Sequence, residues 1–223
     1  MIMAMSKTII CCLQSAPVKE WADDQLFVVD WAFYMDSQKN CFRANVAPDK
    51  GCKSYPKGQV PQLTNQRKAH TFEIQNKRCQ SLCFLDLPPN AFGQNVEQCD
   101  QIIYPSETES KQWVLLVELK YSDPLRDKHQ QEEYDSNIQK KYNKAVAQIL
   151  DTEKHIHSCT SCKKRFPKLT YAVVAFPRIQ GIAGQAQTIR KLTNKKLLGK
   201  LGKRHLPQVA NRLNIENLSK YKL

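Results

Sequence analysis

Five consecutive apolar residues, Trp113-Val-Leu-Leu-Val117, run directly into Glu118-Leu-Lys120. An apolar run of that length predicts a strand over Gln112 to Tyr121, buried on both faces in the middle of a mixed sheet. Side chains alternate along a strand, so Glu118 and Lys120 share one face while Val117 and Leu119 point to the other. A carboxylate and an ammonium at the end of a buried strand cost desolvation unless each has a partner. They either pair with each other or open onto a cleft that holds a cation.

A lone Glu-x-Lys triplet is common and would usually be a surface ion pair. Asp100 makes this one more informative. Val96 to Tyr104 reads as a preceding strand, joined to the first by the polar turn Pro105-Ser-Glu-Thr-Glu-Ser110. A hairpin centred on Glu109 pairs residues whose numbers add to 218, which sets Asp100 opposite Glu118. Directly opposed residues have Cβ atoms about 5 Å apart. Two carboxylates held that close repel, and a bound cation removes the penalty.

The surrounding pattern predicts α/β architecture. Ser81 to Leu87 is a short apolar strand stopped by Pro88-Pro89. A helix is expected from about Lys128 to Thr152, with Tyr134, Ile138, Tyr142, Ala145, Val146, Ile149 and Leu150 at helical spacing. Leu169 to Phe176 reads as a further strand ending at Pro177. Residues 1–61, with the apolar run Leu26 to Tyr34, read as a strand-rich extension packed on a core spanning 62–178. Residues 179–223 read as a basic, helical tail.

An acid ahead of an apolar strand, a hairpin, Glu118-Leu-Lys120 and then a helix resembles the PD-(D/E)XK nuclease superfamily. Gln130 and Tyr134 form a Gln-x-x-x-Tyr motif similar to its RecB-like branch. The resemblance covers about 62–178. It implies a restriction-endonuclease-like core, a central mixed sheet flanked by helices. It implies that Asp100, Glu118 and the backbone carbonyl of Leu119 hold Mg²⁺ or Mn²⁺, hard ions suited to oxygen ligands. Lys120 would position a water or stabilise developing charge, and Gln130 and Tyr134 would orient the phosphate or the lysine. Such a protein is a DNA-directed phosphodiester hydrolase, and by analogy serves restriction or antiphage defence. Cys99 stands where many members have proline. Glu73 is the nearest candidate for a further acid on a preceding helix.

The chain carries 34 Lys and Arg against 21 Asp and Glu, a formal net charge of +13. A surface of that sign favours a polyanionic partner, through counterion release from phosphates. Lys140, Lys141 and Lys144 lie off the helix's apolar stripe. Arg190, Lys191, Lys195, Lys196, Lys200, Lys203 and Arg204 crowd the tail, which reads as a nucleic-acid-binding arm or a solvated helical face. Two-strand cleavage would favour a homodimer, and an inactive fold would serve as an assembly partner.

Nine cysteines without an export signal read as reduced thiols in the cytoplasm. Met1 to Ala16 lacks a signal-peptide cleavage pattern, and no apolar run approaches the length of a membrane-spanning helix. Cys159-x-x-Cys162, preceded by His155 and His157, has the spacing of half a Zn²⁺ site, with Cys79 and Cys83 as distant alternatives. The plain reading is a turn with ordinary thiols.

Overall fold

A computed structural model describes residue 13 and residues 17–31, 35–36, 41–42, 51–61, 70–106, 112–120, 131–167, 169–176 and 205–223. In chain order the strands are β1 (Val18–Trp21), β2 (Gln25–Asp30), β3 (Met35–Asp36), β4 (Cys41–Phe42), β5 (Cys52–Pro56), β6 (His70–Gln75), β7 (Leu82–Asp86), β8 (Gln101–Pro105) and β9 (Val114–Leu119). Two helices follow, α1 (Gln131–Ser158) and α2 (Thr160–Arg165). Then come β10 (Thr170–Ala175), β11 (Gln208–Ala210), β12 (Arg212–Asn214) and a 3-10 helix over Ile215–Tyr221. The fold is mixed α/β.

The main sheet has the order β1-β7-β8-β9-β10-β11. Strands β1, β7, β8 and β9 run antiparallel in turn, whereas β10 runs parallel to β9 and β11 parallel to β10. The parallel step needs a crossover, and α1 supplies it. Residues Val114 to Leu119 are buried on both faces, as the apolar run requires. One face (Val114, Leu116, Ala172, Val174) packs on α1 through Ile138, Tyr142, Ala145, Val146 and Ile149. The other (Leu115, Val117, Val173, Ala175) packs on a second sheet, ordered β12-β6-β2-β5. Pro88 and Pro89 end β7, since proline cannot donate to the ladder.

Both expected segment boundaries are crossed by strand pairing. In the N-terminal segment, β1 edges the main sheet against β7, and β2 pairs on either side with β5 and β6. At the other end, the described tail residues are not one helix. β11 extends the main sheet beside β10, β12 pairs with β6 in the second sheet, and only the closing turns are 3-10. Leu213, Ile215 and Leu218 are buried in the inter-sheet core, and the Tyr142 hydroxyl donates to the Pro207 carbonyl at 2.8 Å. Burial of those few apolar side chains outweighs the segment's helical propensity. Arg190, Lys191, Lys195, Lys196, Lys200, Lys203 and Arg204 lie outside the described residues.

Candidate active site

The β8–β9 ladder pairs Gln101 with Val117, Ile102 with Leu116 and Ile103 with Leu115. Extending that register by one residue sets Asp100 against Glu118, the pairing expected from the symmetry of the turn. The Asp100 N–H donates to the Val117 carbonyl at 3.1 Å. Asp100 shares the face of Ile102 and Tyr104, and Glu118 that of Val114 and Leu116, so both carboxyls look toward α1. Asp100 Oδ2 accepts the Leu119 N–H at 2.7 Å, which caps the end of β9 with a side chain.

Glu118 is 1% exposed. Its Oε1 takes a hydrogen bond from Lys120 Nζ, and the carboxyl lies buried beside Asp100. Burial pushes the Glu118 carboxyl well above the ordinary range, the neighbouring Asp100 raises it further, and the Lys120 ammonium only partly offsets this. Burial also raises Asp100, opposed by the Leu119 N–H and by Lys120. Each carboxyl therefore acts directly on the protonation of the other. Two acceptors that close are stable only with a proton or a cation between them.

The helix reaches this site through Gln148. Its Oε1 accepts from Lys120 Nζ at 2.7 Å, and its Nε2 donates to the Gln98 carbonyl at 2.9 Å. One turn on, Thr152 Oγ1 accepts the Cys99 N–H at 2.8 Å and donates to the Gln148 carbonyl. One face of α1 therefore holds both Lys120 and the segment that delivers Asp100. Sequence reasoning missed Gln148, which in a linear reading is one of several polar residues on a long helix. Gln130 and the side chain of Tyr134 lie outside the described residues; position 134 is in the first turn of α1, about 20 Å along the axis from Gln148.

Glu73 is not part of this constellation. It lies on strand β6, not on a helix, where Oε1 accepts from Gln25 at 2.9 Å and Oε2 from Arg212 at 2.9 Å. Its strand neighbours Phe72 and Ile74 fill the core, so alternation turns Glu73 away from the main sheet. The zinc set does not assemble either. His155 and His157 are two residues apart on α1, about 200° around its axis. His155 packs on Phe92 and His157 on Phe166, both at 5.3 Å. Cys162 is buried in the core and Cys159 is half-buried. Among the described residues no group of three or more His, Cys, Asp or Glu side chains could hold a metal.

A second polar cluster lies on the opposite face of β8. Asp86, 2% exposed, accepts from Gln101 Nε2 at 2.7 Å and Ser54 Oγ at 3.1 Å, and pairs with Lys19 at 3.0 Å. These contacts tie β1, β5, β7 and β8 together beneath the carboxylates. On α1, Lys140 and Lys144 are exposed and Lys141 is half-buried. Lys144 and Lys140 stand one and two turns before Gln148, about 6 and 12 Å along the axis.

No family model matches the chain, and no curated protein or solved structure matches it significantly. Among the described residues, no helix is long and apolar enough to cross a membrane.

Proposed function

We propose that this protein is a metal-dependent nuclease of the PD-(D/E)XK type, hydrolysing phosphodiester bonds in DNA. The observation that carries the reading is the opposed pair of carboxyls at the end of β9: Glu118, 1% exposed, stands beside Asp100, with the Lys120 ammonium only partly offsetting the two acids. Two acids held that close call for a proton or a cation between them, and a divalent cation would neutralise both. The donor set fits a hard ion. Asp100, Glu118 and the Leu119 carbonyl would hold Mg²⁺ or Mn²⁺, with water completing its shell. Bound there, the ion supplies charge neutralisation and a more acidic water.

The chain's own residues take the remaining roles. Lys120, already anchored on Glu118 and Gln148, presents an ammonium next to the carboxylates, where charge develops on a phosphate under attack. Lys140 and Lys144 line the approach along α1 with positive charge, suited to a polyanion. Hairpin, helix and parallel strand follow in the order the resemblance implies, which supports a restriction-endonuclease-like core. A role in restriction or antiphage defence rests on analogy with that superfamily.

A second reading is favoured by the direct Lys120–Glu118 pair. That ion pair is what a closed, non-catalytic form of the same fold would use, in a nucleic-acid-binding or assembly protein. Plasmid and linear single-stranded DNA incubated with Mg²⁺ or with EDTA separate the two. The nuclease reading predicts cleavage with Mg²⁺ only, abolished by Glu118→Ala or Lys120→Ala with nucleic-acid binding retained. Unchanged cleavage in both variants, or none in the wild type, contradicts it.

A further inference from the structure

A cavity of about 400 Å³ opens at the far end of the main sheet, roughly 15–20 Å from Glu118 along β9. Trp113, just before β9, and Tyr171, in β10, form one wall. Both side chains are on the face opposite the carboxylates, in register with Leu115 and Val173. Leu218 of the 3-10 helix closes the apolar floor, and Arg78, Gln80 and Glu216 form a polar rim. We infer that this cavity is a nucleotide site, taking a base against Trp113 and Tyr171 and its phosphate on Arg78.

The volume is within the range of small-ligand clefts, and the lining combines Trp113, Tyr171 and Leu218 with the polar groups of the rim. The Trp113 and Tyr171 rings meet edge to face, 6.4 Å apart at 67°. Two fixed aromatic side chains favour a flat, polarisable ligand over a flexible aliphatic one. Gln80 offers a donor and an acceptor together, which suits the edge of a base. Its backbone is locked: the Gln80 N–H donates to Asn76 Oδ1 at 3.1 Å and its carbonyl accepts from Asn76 Nδ2 at 2.9 Å. Asn76 itself is 1% exposed, so that wall is built in advance of any ligand.

Arg78 supplies the anion contact. Its side chain is 77% exposed, and its Nε pairs with Glu216 at 3.3 Å. A guanidinium carries five N–H donors, more than one carboxylate can take up, and an exposed one can also meet a phosphate. The pair spans the mouth from the turn before β7 to the 3-10 helix. A ligand phosphate competes with Glu216 for Arg78, which selects for an anion at that edge.

The same chemistry is offered by a free nucleoside monophosphate and by an unpaired terminal nucleotide of a strand. Tryptophan fluorescence and calorimetry with AMP, GMP, CMP and UMP, in EDTA so that the carboxylate site plays no part, test the inference. Saturable binding is expected. Arg78→Ala should weaken nucleotide binding by roughly tenfold while sparing adenosine. Ser219→Phe, a rim substitution that fills the mouth, should abolish both. Both substituted positions are exposed, so folding is not at stake. Competition by a 5′-phosphorylated single-stranded oligonucleotide assigns the site to a strand end, and its absence assigns it to the free nucleotide. No saturable binding into the millimolar range, or binding that both variants leave intact, overturns the inference. Binding in a protein that cleaves nothing removes the nuclease reading and leaves this one standing.

Discussion

Replacing Gln148 by methionine keeps the length of the side chain and removes both of its polar ends. One end accepts from the Lys120 ammonium at 2.7 Å and the other donates to the Gln98 carbonyl at 2.9 Å. A neutral hydrogen bond contributes about 1 kcal/mol net and a charge-assisted one about 1.5–3 kcal/mol. Gln148 is half-buried and the Lys120 side chain 15% exposed, so the lower end of the sum, about 2–3 kcal/mol, is appropriate. For a chain of this size that corresponds to a Tm lower by about 5–10 °C. Cleavage should suffer separately. Loss of a contact that orients groups at a metal site typically costs about 10–100-fold in activity or metal affinity. Because no phosphate contact is removed, the loss should fall on kcat with KM for DNA nearly unchanged. Thermal unfolding and steady-state cleavage on the same preparation measure both. A normal Tm with normal kcat refutes the role given to Gln148, and a lowered Tm with normal kcat reduces it to scaffolding.

Thr152→Val removes the acceptor of the buried Cys99 N–H, and should cost about 1–3 kcal/mol in urea unfolding, with Thr152→Ser nearly neutral. A native-like Thr152→Val shows that the loop before Asp100 is held elsewhere. Burial holds Glu118 and Asp100 above their ordinary range, so the folded state binds protons more tightly than the unfolded chain. The pair's penalty is therefore absent in acid, below the unfolded carboxylate values, and grows as pH rises through them toward the folded ones. Glu118→Gln should be stabilising relative to wild type by an amount that increases across that window; a constant difference contradicts the account. Among the described thiols, iodoacetamide at neutral pH should label exposed Cys79 well before Cys52 and Cys99, both raised chiefly by burial and then by nearby carboxylates. Peptide mapping that finds equal rates would count against the burial of those two. Leu213→Ala should cost about 2–5 kcal/mol, since that side chain is 1% exposed between the sheets. A cost near zero would mean that the tail is dispensable for folding.

The site's spine was readable because two local patterns agreed. The apolar run fixed β9 as a buried strand, and the polar turn fixed its pairing with β8, so Asp100 and Glu118 met in the expected register. Lys120 followed from alternation alone. The helix contribution was not readable, because nothing in a linear pattern says which polar residue of a long helix faces the end of a strand. That choice depends on where α1 crosses β9 and β10, a tertiary outcome. Glu73 misled for a related reason: proximity in sequence says little about which sheet a strand joins. β11 and β12 span three residues each, too short for any period to emerge against a basic background, so pairing with β10 and β6 decided their state. The Cys159-x-x-Cys162 spacing gave no hint that Cys162 is buried in the same core cluster as Phe166 and Ile156.

Direct binding of Mn²⁺, followed by calorimetry and by the ion's paramagnetic resonance without nucleic acid, tests whether Asp100 and Glu118 hold a metal. A saturable site is expected in the wild type and is lost in Glu118→Ala and in Asp100→Ala. A wild type that takes up no ion, or variants that bind it as well as the wild type does, would contradict it.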